Sequence, residues 1–319
     1  MNWLPLIHQW LWHGAEYAPT IVTPLDAPIH GLRGLLYNLA PAHPEASVNE
    51  YARTRNIAHH LTIEHIMSTH WPSHITPPYV FKGLDYALNL YPEIGLRHSN
   101  DVDILIAEQH FEPVVTYLTR TMKTRPAPKE NRHQTERASA ITFEKNGVTL
   151  DVHRTPIMEH QTRLRTQTLI DQGQPGRLGT CDALFPDPLN RLFLWLHNFA
   201  KNFHPLPLHS LVDLTLILRL LVPDNRSTHW KKLEKLTQRW GLDCPFILAL
   251  HYLEASTLWR DKLPKLSRKT THYRIDRWKE TLYHTMAKAM LLLDRTIPEG
   301  RAALTARFAT EMLSRLRAR

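Results

Sequence analysis

Residues 95–106 read GLRHSNDVDILI, and this stretch decides the fold because two acidic residues stand at the start of an apolar run. The run is rich in β-branched residues and follows turn-type residues, a pattern typical of a mostly buried strand. Side chains alternate along a strand, so Asp101 and Asp103 share one face and the apolar residues between them occupy the other. Two carboxylates held side by side repel each other unless a cation or a proton lies between them. The stretch therefore predicts a strand that binds a metal.

A third carboxylate follows in residues 139–153, SAITFEKNGVTLDVH, which contain two alternating runs joined by Asn146-Gly147. This dipeptide between apolar runs is the strongest short signal for a β-hairpin. Asp151 lies late in the second run. If that strand neighbours the Asp-Val-Asp strand, the three carboxylates share a face and can hold two magnesium ions, which prefer oxygen ligands and leave positions for phosphates. Two such ions activate an attacking oxygen and stabilise a departing pyrophosphate, so the pattern indicates phosphoryl chemistry.

The segment VFKGLDYAL, residues 80–88, predicts a strand, a turn at Gly83 and a helix. Backbone N–H groups at a helix start bind phosphate, and Lys82 beside them would neutralise phosphate charge. His153 lies two residues after Asp151 and therefore on its face. It would touch the substrate or take part in proton transfer, or else it is a structural histidine.

The order FKG, then GLRHSNDVDILI, then VTLDVH resembles the nucleotidyltransferases of the polymerase-β superfamily. It is most similar to a bacterial group with Lys-Gly, Arg, Asp-x-Asp and a final Asp-x-His strand, over residues 76–155 and more loosely to 220. The resemblance implies that Asp101 and Asp103 bind both metals and that Asp151 completes the catalytic site. It also implies an NTP, with ATP as one candidate, as substrate, and Mg²⁺ as cofactor, with Mn²⁺ as the alternative.

The resemblance also implies the phosphate contacts. Gly83 would approach the triphosphate, and Arg97 and Ser99, just before the paired aspartates, would contact phosphates. The superfamily usually carries Gly-Ser or Gly-Gly at the phosphate turn, whereas Leu84 follows Gly83 here. The hydroxyl that would contact the terminal phosphates is therefore missing.

Three residues of the predicted C-terminal helices are further nucleotide-binding candidates. His197 and Lys201 lie one helical turn apart and would line the nucleotide cleft. Asp213 lies within the apolar segment LHSLVDLTLIL, where an unpaired carboxylate is expensive. Similar His and Asp positions recur in the helical part of the resembled group. The alternative for His197 and Asp213 is a buried polar pair that fixes helix packing.

A second metal hypothesis concerns His59, His60, Glu64 and His65, because His60 and Glu64 lie one helical turn apart. The order of these residues differs from the His-Glu-x-x-His of zinc peptidases. With 21 histidines in the chain, clusters are expected by chance. We do not predict a metal there.

The predicted fold is α/β (α+β): a small mixed sheet carries the three aspartates and is flanked by helices on both sides in sequence. We divide the chain into an N-terminal helical segment (1–75), a nucleotidyltransferase core (76–182) and a C-terminal helical domain (183–319). Residues 123–137 are polar and predict a mobile loop.

The net charge of +9 and the pI near 9.6 favour polyanionic partners, nucleic acid among them. The basic residues are spread out, except in stretches such as the tail RAALTARFATEMLSRLRAR. Two cysteines exclude a disulfide framework, and no apolar run is long enough for a membrane span, so we expect a cytoplasmic protein. The predicted function is transfer of a nucleoside monophosphate to a small molecule, a protein or an RNA end. The alternative is a catalytically inactive nucleotidyltransferase-like protein that acts as an RNA-binding or regulatory module.

Overall fold

A computed structural model describes residues 32–39, 46–72, 75–99, 101–122, 140–155, 165–202, 208–223 and 227–255. These ranges contain nine helices, six strands and a short 3₁₀ turn, Ile94–Leu96, before the second strand. The helices are α1 (Arg33–Leu39), α2 (Ala46–His70), α3 (Gly83–Asn89), α4 (Glu108–Met122), α5 (Thr166–Asp171), α6 (Pro188–Asn202), α7 (Leu208–Leu221), α8 (Ser227–Trp240) and α9 (Asp243–Ala255). The strands are β1 (Tyr79–Phe81), β2 (Asp101–Leu105), β3 (Ala140–Lys145), β4 (Val148–His153), β5 (Gln174–Leu178) and β6 (Cys181–Phe185).

The six strands form one mixed sheet in the order β3-β4-β2-β1-β6-β5. Strand β2 pairs in parallel with β4, and β1 pairs in parallel with β6, while the other neighbours are antiparallel. The predicted α/β class with a small mixed sheet is confirmed. The hairpin around Asn146-Gly147 is also confirmed, and both turn residues have positive φ.

The two faces of the sheet differ in character at β2 and β4. Val102 and Ile104 are fully buried, and they form one apolar core with Leu150 and Val152 of β4. Helices α2 and α4 contribute the other side of that core, with Phe111 among its fully buried members. Because side chains alternate along each strand, the acidic residues of β2 and β4 are held on the opposite face.

Strands β5 and β6 were not predicted. The sequence of β5 is QPGRL, and proline and glycine are poor strand formers that are tolerated at a sheet edge, where this strand lies. Strand β6 ends at Phe185, so the sheet continues three residues past the predicted core boundary at 182. The three-part division of the chain stays a prediction, and the loop predicted at 123–137 lies outside the described residues.

Helices α6 to α9 pack on one another downstream of the sheet. Aromatic side chains support this packing, since the Phe193 ring of α6 meets the Trp240 ring of α8 edge to face at 5.3 Å between centroids. Among the helices that the structure describes, none has both the length and the apolar character needed to cross a bilayer.

Candidate active site

The register between β2 and β4 builds the site. The two strands run parallel, with Asp103 directly opposite Asp151 and Leu105 opposite His153. The predicted neighbourhood of the two acidic strands is therefore correct. We call Asp101, Asp103 and Asp151, together with Lys82 and His153, the carboxylate cluster.

Three members of the carboxylate cluster have possible metal-ligand atoms that lie close together. Ligand atoms of Asp103, Asp151 and His153 all lie within 4.8 Å of one another. Carboxylate oxygens suit Mg²⁺ and Mn²⁺, and an imidazole nitrogen extends the choice to Zn²⁺ or Fe²⁺, so the donor set fits a divalent metal. Asp101 shares the strand face but does not belong to this group, and its role as a ligand stays a prediction.

Hydrogen bonds tie the carboxylate cluster together. Asp103 Oδ1 accepts a bond of 2.6 Å from Lys82 Nζ and lies 2.8 Å from His153 Nε2. The Thr142 hydroxyl donates to Asp151 Oδ1 at 2.6 Å from the neighbouring strand β3, where Thr142 stands opposite Asp151. Thr142 was not among the predicted residues, although the two-residue hairpin turn fixes its pairing with Asp151 and is visible in the sequence.

The two aspartates of β2 differ in their electrostatics. Burial raises the pKa of Asp101, and the charges of Asp103 and Asp151 raise it further against the opposing charge of Lys82. Burial also disfavours the ionised form of Asp103. The hydrogen bond from His153 and the charge of Lys82 outweigh it, so the pKa of Asp103 is lowered. Of these two aspartates, Asp103 is therefore the one whose ionised form the protein favours.

The turn before α3 places the lysine of the site. Lys82 has φ 59° and ψ −134°, a conformation that is rare for a residue with a side chain, whereas Gly83 begins the helix. A Cβ on Gly83 would lie only 2.6 Å from the Ser99 hydroxyl oxygen, so the glycine permits close packing of α3 against that residue. The Ser99 hydroxyl itself donates to the Asp101 carbonyl at 2.6 Å. The predicted phosphate contacts of Gly83 and Ser99 remain predictions.

A second set of charged residues lies buried beside the site. Arg97 Nη2 donates to Asp213 Oδ2 at 2.9 Å, its Nε contacts both oxygens of Asp213, and the Tyr91 hydroxyl donates to Asp213 Oδ1 at 2.8 Å. Arg191 of α6 pairs in the same way with Asp85 of α3, with bonds of 2.9 to 3.2 Å. We call these five residues the buried ion-pair network.

The buried ion-pair network joins the sheet to the C-terminal helices. It links α3 to α6, and it links the segment just before β2 to α7. Arg97 and Asp213, both predicted nucleotide contacts, are thus bonded to each other. Burial raises the pKa of Asp85 to about 6, although Arg191 and Asn89 oppose the rise. The predicted phosphate role of Arg97 and the predicted nucleotide role of Asp213 stay predictions.

The remaining candidates lie in two helices. His197 is buried in α6, and its ring stacks on Phe193 with 6.3 Å between centroids. Lys201 belongs to α6, but its side chain lies outside the described residues. In α2, His60 is buried while His65 is exposed, so these two candidate zinc ligands do not converge.

A mixed sheet that presents an Asp-x-Asp strand beside an Asp-x-His strand, next to a Lys-Gly turn, defines a nucleotidyltransferase-like core. The model of the uncharacterised nucleotidyltransferase family matches residues 30–257, and the chain belongs to this family. The match runs from α1 to α9, so the C-terminal helices are part of the family domain. No curated protein matches the sequence significantly.

Proposed function

We propose that this protein is a metal-dependent nucleotidyltransferase that moves a nucleoside monophosphate from an NTP to an acceptor hydroxyl or similar nucleophile. In this reaction the acceptor oxygen forms a bond to the α-phosphorus, the bond from that phosphorus to the bridging oxygen breaks, and pyrophosphate leaves. One observation carries the proposal: Asp103 and Asp151 stand opposite each other on adjacent strands, with ligand atoms that meet those of His153 within 4.8 Å.

A bound divalent cation, Mg²⁺ or Mn²⁺, would stabilise phosphate charge and make the acceptor oxygen more nucleophilic. Asp103 and Asp151 would hold it, with Asp101 available on the same strand face. Lys82 supplies positive charge for the phosphates from the turn before α3. The acceptor's proton would pass to a basic group on this face, for which Asp151 and His153 are the candidates.

The acceptor we favour is a small molecule or a protein side chain. The basic residues are distributed over the whole sequence, and no interleaving of aromatic and basic residues marks a platform for stacked bases. A cytoplasmic location is part of the same proposal, since the sequence has two cysteines and no disulfide framework.

The test incubates the protein with each α-labelled NTP, Mg²⁺ or Mn²⁺, and a cell extract, and follows label and pyrophosphate. We expect transfer by the wild type and none by Asp151→Asn. The matched control is Asp182→Asn, which makes the same change at a side chain that is 74% exposed on β6 and pairs with the exposed Arg177. Transfer that persists in Asp151→Asn, or no pyrophosphate release with any NTP, would contradict the proposal.

A further inference from the structure

One aspartate of the candidate metal group, Asp103, already has a protein cation on it. Asp103 Oδ1 accepts hydrogen bonds from both Lys82 and His153, at 2.6 and 2.8 Å. A carboxylate oxygen has two lone pairs, and two neighbours already bond to this oxygen. The Asp103 side chain is 5% exposed, so water does not replace these partners. A divalent cation that binds this oxygen must compete with the Lys82 ammonium.

The Lys82 side chain is less buried than that of Asp103 and can therefore move out of the ion pair more easily. It is 27% exposed, against 5% for Asp103, and its ammonium lies 5.0 Å from the centroid of the Phe81 ring. The Lys82 backbone has positive φ, a strained conformation for a residue with a side chain that persists only where the surroundings enforce it. The side chain makes no capping bond to α3, so the ion pair with Asp103 is its described polar bond.

We propose that Lys82 is an internal counter-ion that exchanges with a divalent cation at Asp103 and then pairs with the phosphates of the nucleotide. The second half of this exchange rests on the proposed function. Without metal, Lys82 neutralises Asp103 and keeps three neighbouring carboxylates in one place. With metal bound, the ammonium needs a new anion, and the triphosphate supplies one.

The exchange makes metal and nucleotide bind cooperatively. Metal alone must displace Lys82, so its affinity is reduced, whereas metal with nucleotide leaves every charge paired. By linkage, the nucleotide strengthens metal binding by the same factor by which the metal strengthens nucleotide binding. A variant without the ammonium loses the competition and the part of the coupling that passes through Lys82, while direct contact between metal and phosphates remains.

The test measures binding of Mn²⁺ alone to the full chain by calorimetry and by electron paramagnetic resonance. We expect Lys82→Met to bind Mn²⁺ more tightly than the wild type, by a factor of roughly 5 to 150, which is the usual range of coupling between sites. With a non-hydrolysable NTP present, Mn²⁺ affinity should rise by a larger factor in the wild type than in Lys82→Met. The control is Lys231→Met, which removes one positive charge from an exposed position of α8.

Two further variants keep the test decisive. Lys82→Gly suits the positive φ and should fold where Lys82→Met does not, with the same gain in Mn²⁺ affinity. Lys82→Arg retains the charge and should bind Mn²⁺ as weakly as the wild type. Equal or weaker Mn²⁺ binding by both uncharged variants would overturn the exchange while leaving the proposed function intact. Absence of Mn²⁺ binding from the wild type and all variants, with or without nucleotide, would overturn both.

Discussion

The carboxylate cluster and the buried ion-pair network are two groups of charged residues that one segment of chain connects, and they balance their charges differently. In the network, two arginines face two aspartates in buried pairs, so each charge has a partner of opposite sign. In the cluster, three aspartates from the neighbouring strands β2 and β4 share one face of the sheet with a single lysine and a histidine. The excess of negative charge is therefore confined to the cluster. Burial does not mark the site, because the network is buried throughout whereas Asp103 is the one fully buried member of the cluster. The unmatched charge marks it.

The largest predicted effect is a loss of transfer activity when the carboxylate cluster is altered. Asp103→Asn removes the carboxylate that Lys82 and His153 hold ionised, and with it a ligand for the proposed metal. Loss of several kcal/mol of transition-state stabilisation lowers transfer on the order of a thousandfold. Single-turnover assays with labelled NTP measure this, and circular dichroism checks the fold. Near-normal transfer by folded Asp103→Asn would place the chemistry elsewhere.

Substitutions in the buried ion-pair network should instead lower the stability of the fold. Asp213→Asn leaves the Arg97 guanidinium buried without a carboxylate, which destabilises the fold by about 3–5 kcal/mol, as expected when one partner of a buried pair is removed. The double variant Arg97→Met with Asp213→Leu should recover most of this loss, because it removes both charges. Urea unfolding of the single and double variants gives the comparison, with Asp182→Asn as the surface control. A single variant as stable as the wild type would show that the pair is not structural.

The two aspartates of β2 should affect stability in opposite directions. The raised pKa of Asp101 means that its ionisation costs stability, so Asp101→Asn should stabilise the metal-free protein at neutral pH. This gain should fade as the pH falls through the folded-state pKa toward the ordinary value of 3.8. The lowered pKa of Asp103 means that its ionised form contributes stability above 3.8, and this stability is lost as the pH falls through its folded-state pKa.

Asp103→Asn should therefore destabilise the protein at neutral pH, and the difference from the wild type should shrink in acid. Thermal unfolding in chelator-treated buffer from acid to neutral pH compares the two variants. Shifts of the same sign for both would mean that Lys82 and His153 do not distinguish the two carboxylates.

The smallest effect concerns a neutral residue at the border of the carboxylate cluster. Thr142→Val removes the hydroxyl that donates to Asp151 and should lower kcat roughly three- to tenfold, the usual worth of one hydrogen bond, with KM for the NTP unchanged. Thr119→Val is the matched control, since the Thr119 hydroxyl bonds the Val115 carbonyl within α4 at an exposed position. An effect on KM alone would show that Thr142 acts on nucleotide binding.

Local patterns in the sequence were enough to predict the carboxylate face. Strand alternation placed Asp101 and Asp103 together, and the Asn146-Gly147 turn located Asp151 and His153. The remaining features depend on contacts between distant residues. Arg97 and Asp213 lie 116 positions apart, and no local pattern records that they pair. The positive φ falls on Lys82, and the adjacent Gly83 is required for a different reason, its close packing against Ser99.

The parallel register of β2 and β4 also constrains how this site can change in evolution. Asp151 and His153 alternate with Leu150 and Val152 along one strand. A one-residue insertion or deletion within β4 ahead of Asp151 would turn both polar side chains into the apolar core and bring leucine and valine to the carboxylate face. Substitution can change the residues of the site one at a time, whereas an insertion or deletion in β4 removes both Asp151 and His153 from the site in one event. Lineages that keep this chemistry must therefore conserve the spacing of β4 more strictly than the identity of its apolar residues.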